Sequence, residues 1–112
     1  MARDESYLLD ILKAGRKLIR ITSGMSRASF EQNDVVQDSA IRQIEIIGEA
    51  AKKVSSGFKE AHPEIPWREM VGMRNRLIHD YWRIDIEQVW KTIQEGIPAL
   101  IRQIEPLVPP ED

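Results

Sequence analysis

Apolar residues recur every three or four positions in four separate stretches of this chain, and nowhere do they alternate with polar residues over the length of a strand. Spacing of three and four lines one side of an α-helix, whereas a half-buried strand needs a period of two. The pattern predicts helices throughout and no sheet. The first stretch runs from about Asp4 to Thr22, with Leu8, Ile11, Leu12, Leu18 and Ile19 on its stripe, Asp4 as N-cap and Gly24 as stop. In "SRASFEQND", Ser29 and Gln32 fit a capping box and a short helical turn. The second long helix spans about Val35 to Val54, capped by Asn33 or Asp34, and carries Val36, Ala40, Ile44, Ile47, Ala51 and Val54 on one side until "SSG" ends it.

"FKEAHPEIP" reads as a loop, because two prolines three residues apart do not sit inside a helix. Pro66 suits the first turn of a third helix. A fourth begins near Asp85, where Asp85 and Gln88 form a second capping box, and its stripe is Ile86, Val89, Trp90, Ile93, Ile97, Leu100, Ile101 and Ile104. Pro98 is predicted to kink that helix, and Pro106, Pro109 and Pro110 to close it. The expected architecture is an all-α bundle of four to five helices, residues 1–112 forming one domain.

Composition narrows the chemistry. There is no cysteine, so disulfides and thiolate metal sites are excluded. The net charge of −2 with 30% charged residues describes a solvated surface rather than a basic nucleic-acid carrier, although sixteen Lys and Arg are enough to form a local basic patch. "MARDESYLLD" lacks the basic start and apolar run of a signal peptide, and no apolar stretch approaches the roughly 20 residues that span a bilayer. A cytoplasmic protein without a membrane partner is expected.

The third helix breaks its own pattern. With Trp67 at zero and about 100° per residue, Trp67, Met70, Val71, Leu77, Ile78, Tyr81 and Trp82 cluster on one side. Arg74 falls about 20° from zero, inside that apolar arc. A guanidinium cannot shed its charge, so it needs a carboxylate, an anionic ligand or an interface there. Glu45 and Glu49 on the second helix are candidate ion-pair partners. His79 lies about 140° from Arg74, beside Asn75, Arg76 and Arg83. One straight helix does not bring Arg74 and His79 together; unwinding near His79, or two copies facing across a two-fold axis, would.

Blander readings stand beside these. His79 fits an ordinary surface histidine, Tyr81 and the three tryptophans fit core or interface, and His62 beside Pro63 fits a capping or solvent position. Glu45 and Glu49 form an i, i+4 carboxylate pair, but no Glu-x-x-His partner exists for a di-metal site, so no metal is expected. Gly-rich phosphate loops, nucleophile elbows and zinc spacings are absent.

Arg74 to Tyr81 spell Arg-x4-His-x-Tyr near a helix end. With the flanks "VVQDSAIRQIEIIGEAAKKVS" and "IPWREMVGMRNRLIHDYW", the chain from about Tyr7 to Leu107 resembles the HEPN superfamily, specifically its HepT-like toxins. The resemblance implies a HEPN-type helical bundle forming a homodimer, with a cofactor-free, metal-independent endoribonuclease site where two motifs meet. It implies that Arg74 binds the scissile phosphate of an RNA substrate, that His79 moves protons during attack by the 2′-hydroxyl to leave a 2′,3′-cyclic phosphate, and that Asn75 orients these groups. It further implies a type VII-like toxin–antitoxin pair, in which an MntA-type nucleotidyltransferase antitoxin silences the toxin by adenylylating Tyr81. Arg68, Arg76 and Arg83, spread around the side that bears His79, are candidate RNA-phosphate contacts. The alternative is a noncatalytic helical module that docks a nucleotidyltransferase or binds a nucleotide.

Overall fold

A computed structural model describes residues 3–110. In chain order the helices are α1 (Arg3–Thr22), α2 (Arg27–Glu31), α3 (Asp34–Lys53), α4 (Ser56–Ala61), α5 (Trp67–His79), α6 (Ile86–Lys91) and α7 (Ile97–Ile104). A π-helical turn, Thr92–Gly96, joins α6 to α7 into one continuous span, and a 3-10 turn, Glu105–Leu107, extends it. Among the described residues there is no strand. The four long helical spans fall where the apolar spacing puts them, and with α2 and α4 the α-helical spans among the described residues number six rather than four or five.

α3 lies between α1 and α5 and packs on both, while α7 closes against α1. Their facing stripes meet in one core containing Leu8, Ile11, Leu18, Ile44, Ile47, Ile93 and Ile104. Phe30 of α2 is fully buried, with its ring 5.1 Å from that of Trp90, so the short helix is pinned by one aromatic anchor. Gly24, at φ +78, makes the turn after α1 that other residues resist. Among the described residues, no helix is long and apolar enough to cross a membrane.

Several local expectations need correction. Asp4 lies inside the first turn of α1 instead of capping it, and its carboxylate accepts hydrogen bonds from the Ser55 amide (2.9 Å) and hydroxyl (2.6 Å). Ser55 in turn caps α4, accepting from the Phe58 amide at 3.3 Å. The segment read as loop, Phe58–Pro66, is therefore helical in its first part, as the end of α4, and non-helical from His62 to Pro66, because the serine of "SSG" starts a helix where it was read as an end. The capping box of α2 is Ser26 with Ser29, three residues earlier than the Ser29–Gln32 pair. Asn33 caps α3 through the Val36 amide, and Asp85 caps α6 through the Gln88 amide, both as spacing predicts. Pro98 is absorbed by the π turn just before it: its ring would crowd the carbonyl four residues back, and a wider turn makes room.

Candidate active site

Arg74, Asn75 and His79 of the motif lie on α5, whose placement depends on two anchors. At its start the indole nitrogen of Trp67 donates to the His62 carbonyl (2.9 Å), while the His62 ring stacks on Phe58 at 4.5 Å. Along its length it meets α3 at Gly48. A Cβ added there would run into the Cβ of Arg74 and come within 2.7 Å of the Met70 carbonyl oxygen. Only the bare glycine lets the two helices approach this closely.

Arg74 is half-buried at this crossing. Its Nε is the one buried side-chain polar atom among the described residues with no hydrogen-bond partner. Leaving such a donor unmet costs about 1–3 kcal/mol. Neither Glu45 nor Glu49 forms an ion pair with it, so the carboxylate partners suggested by spacing are not used. The guanidinium instead donates from Nη1 to the side-chain oxygen of its neighbour Asn75 at 3.0 Å. This holds Arg74 and Asn75 as a unit, with the buried Nε–H unmet and the remaining N–H groups of the guanidinium unpaired.

α5 stops at His79, earlier than the apolar stripe suggests. Asp80 leaves helical geometry, and Tyr81–Arg83 form a separate 3-10 turn. The stripe therefore does not continue into the core: Ile78, Tyr81 and Trp82 are exposed, Trp82 by 92%. The Tyr81 and Trp82 rings pack edge to face, 5.3 Å apart. His79 is exposed next to them, and no hydrogen bond joins it to Arg74 among the described residues. Within one chain, the arginine and the histidine remain separate groups.

The candidate RNA contacts divide. Arg76 and Arg83 line one small pocket of about 120 Å3 together with Asp80, Asp85 and Gln88, while Arg68 lies exposed elsewhere on α5. Arg76 also borders a groove of about 380 Å3 between α3, α5 and the π turn, floored by Ile44, Ile47, Met70 and Met73. Neither Arg74 nor His79 lines that groove. Among the described residues no group of His, Asp and Glu could hold a metal ion.

Sequence reasoning passed over Gly48. Its signal was present in "IIGEAAKK", where a glycine interrupts strong helix formers at a cost of roughly 0.5–1 kcal/mol, which points to a close backbone contact.

The fold and site thus define an all-helical bundle with a half-buried arginine that lacks a carboxylate partner and, at the end of the same helix, an exposed histidine. The chain belongs to the family described as Ribonuclease HepT-like, which matches residues 11–107. It is 43% identical, over 92% of its length and 94% of the relative's, to a protein of Thermococcus cleftensis named "Probable ribonuclease HepT". A provisionally named RNase of Methanocaldococcus jannaschii is 38% identical, over 90% of this chain and 93% of the relative. Another, from Caldanaerobacter subterraneus subsp. tengcongensis, is 36% identical over 99% of both. No solved structure matches.

Proposed function

We propose that this protein is a metal-independent endoribonuclease that acts as a homodimer in the cytoplasm, the toxin of a type VII-like toxin–antitoxin pair. The ribonuclease names of its relatives support the substrate class. The observation that carries the reading is that Arg74 has no carboxylate partner: its Nε is buried at the helix crossing, while its Nη end, hydrogen-bonded to Asn75, lies at the surface. A half-buried guanidinium with exposed Nη donors and no carboxylate suits an anion that arrives from outside, and a phosphodiester provides one.

In this reading two motifs face each other across a two-fold axis, and the exposed Ile78, Tyr81 and Trp82 contribute to the contact. Arg74, steadied by Asn75, holds the non-bridging oxygens of the scissile phosphate. The 2′-oxygen attacks phosphorus, the bond from phosphorus to the 5′-oxygen breaks, and the departing 5′-oxygen takes a proton. His79 moves protons in this exchange. The products are a 2′,3′-cyclic phosphate and a 5′-hydroxyl. The 2′-hydroxyl requirement selects RNA over DNA. Arg76 and Arg83, and more remotely Arg68, contact flanking phosphates.

Tyr81 is the proposed site of adenylylation by a nucleotidyltransferase antitoxin of the MntA type. Its ring is half exposed and lies two residues from His79, so an added nucleotide would bring bulk and negative charge beside the phosphate site. The test pairs intact mass with RNA cleavage, on protein made with and without the nucleotidyltransferase. An added AMP that disappears in Tyr81→Phe, with cleavage confined to the unmodified form, supports the reading. Unmodified protein that binds the nucleotidyltransferase but cuts no RNA would replace it with the noncatalytic interaction module.

A further inference from the structure

Away from the motif, α1 and α3 enclose a surface trough of about 430 Å3. Lys13, Arg16, Lys17 and Arg20 line it, and among the described residues Asp10 is the one carboxylate that does. These four cations come from eight consecutive residues of a chain whose net charge is −2. On the helix they fall within an arc of about 100°. Each therefore has like-charged neighbours three or four positions away, an arrangement that destabilises a helix. The helix dipole rewards only Arg20, in the last turn. Arg16 is partly offset by Glu105 at 3.1 Å, while Lys17 and Arg20 have no ion pair among the described residues.

The floor carries a second sign of a ligand. Gln43 of α3 is only 7% exposed, lines the trough, and its side chain makes no hydrogen bond among the described residues. Most of the side chain is packed away, and its amide keeps access to solvent. The open side of that amide is the trough.

We infer that the α1–α3 trough is a second RNA-backbone site, in which Lys17 and Arg20, with Lys13 and Arg16 at its other end, hold consecutive phosphates of the strand and Gln43 hydrogen-bonds it from below. Lys13 to Arg20 spans about 10 Å along the helix axis, which fits a short run of backbone rather than one small anion. The inference rests on RNA being the substrate of the motif, and it places part of the affinity on a different helix from the chemistry.

The test uses a fluorescein-labelled single-stranded RNA with every 2′-hydroxyl methylated, which binds but cannot be cut. Its affinity for the full chain is measured over a range of salt concentrations. Lys17→Gln with Arg20→Gln is compared with wild type, and with Lys52→Gln plus Lys53→Gln, which removes the same charge at the exposed end of α3. A single-strand phosphate contact contributes about 0.7 to the slope of log affinity against log salt. Losing two should flatten that slope by about 1.4 and weaken binding about 10-fold at low salt, with the Lys52 and Lys53 variant near wild type. An equal loss in both variants would reduce the trough to net charge and overturn the inference, as would no loss in either. So would a Lys17 and Arg20 variant that binds RNA normally but no longer retains the nucleotidyltransferase, which would make the trough a protein-docking face. Binding that depends on the trough in a protein that never cuts RNA would preserve the site and remove the ribonuclease reading instead.

Discussion

Gly48 of α3 and Arg74 of α5 sit so close that a methyl group on the first would occupy the space of the second's Cβ. The obstacle on the other side is the Met70 carbonyl oxygen, part of the α5 backbone, so a flexible side-chain end cannot swing away to relieve it. Gly48→Ala should therefore push α5 outward. Overpacking of this kind costs about 1–3 kcal/mol. Alanine's better helix propensity returns only roughly 0.5–1 kcal/mol. A lower urea midpoint is expected, together with a larger fall in RNA cleavage than the unfolded fraction explains. An unchanged midpoint would show that the crossing has slack.

Arg74 and His79 should separate stability from activity. Arg74→Ala removes a guanidinium that has no carboxylate partner, so thermal unfolding should change by less than about 1 kcal/mol. Cleavage should fall about 10²–10³-fold if the group stabilises phosphate charge. His79→Ala, at an exposed position, should leave stability alone and lower cleavage about 10²–10⁴-fold. A large loss of stability in Arg74→Ala would mark the arginine as a structural member instead.

Trp82 offers a test of self-association. At 92% exposure it contributes little to the core of one chain. Trp82→Glu should leave the melting of the monomer unchanged. If the tryptophan anchors a dimer, the loss should reach about 2 kcal/mol or more. That weakens dimerisation by more than about 10-fold, readable by sedimentation. Equal self-association of both proteins would move the interface away from the end of α5.

Stability should also depend on acid through Asp4. Hydrogen bonds from the Ser55 hydroxyl and then its amide, aided by the charge of Lys59, hold the Asp4 carboxyl below its ordinary value of 3.8. The native state thus binds this proton less readily than the unfolded chain does. The contribution is complete above the ordinary value and is lost as pH falls through the lower native one. Asp4→Asn should destabilise the protein at neutral pH, and the gap from wild type should close in strong acid. A gap that stays constant with pH would mean that hydrogen-bond geometry rather than ionisation is what the substitution removes.

The long helices were legible because a buried stripe repeats its signal over many residues: Ile44, Ile47 and Ala51 of α3, or Ile93, Ile97, Leu100 and Ile104 near the chain end, are all buried. Short helices were less so, because each rests on one cap and one anchor: α2 was legible as a short turn with its capping box set three residues late, and α4 was missed. Ser55 looked like a terminator of α3 and is the start of α4. The stripe of α5 misled in a useful way. Spacing carried it through Tyr81 and Trp82, but Asp80 breaks the helix first, leaving those rings exposed. Arg74 was legible as an anomaly. That it would face a glycine rather than Glu45 or Glu49 was not, because spacing within one helix does not say which residue of another lies opposite.

The π turn at Thr92–Gly96 divides the last helical span into two parts with different neighbours: α6 meets α2, and α7 meets α1. The turn is thus a phase setting. A π turn holds about one residue more than an α turn, so deleting one residue between Thr92 and Gly96 would let the turn close to α geometry and keep the downstream register, while crowding Pro98 against the turn before it. Inserting one residue would instead rotate the downstream set by about 100°, and Ile97, Leu100 and Ile104, all buried, would swing off the core together. For this chain, lengthening that turn should be tolerated far less than substitution within it.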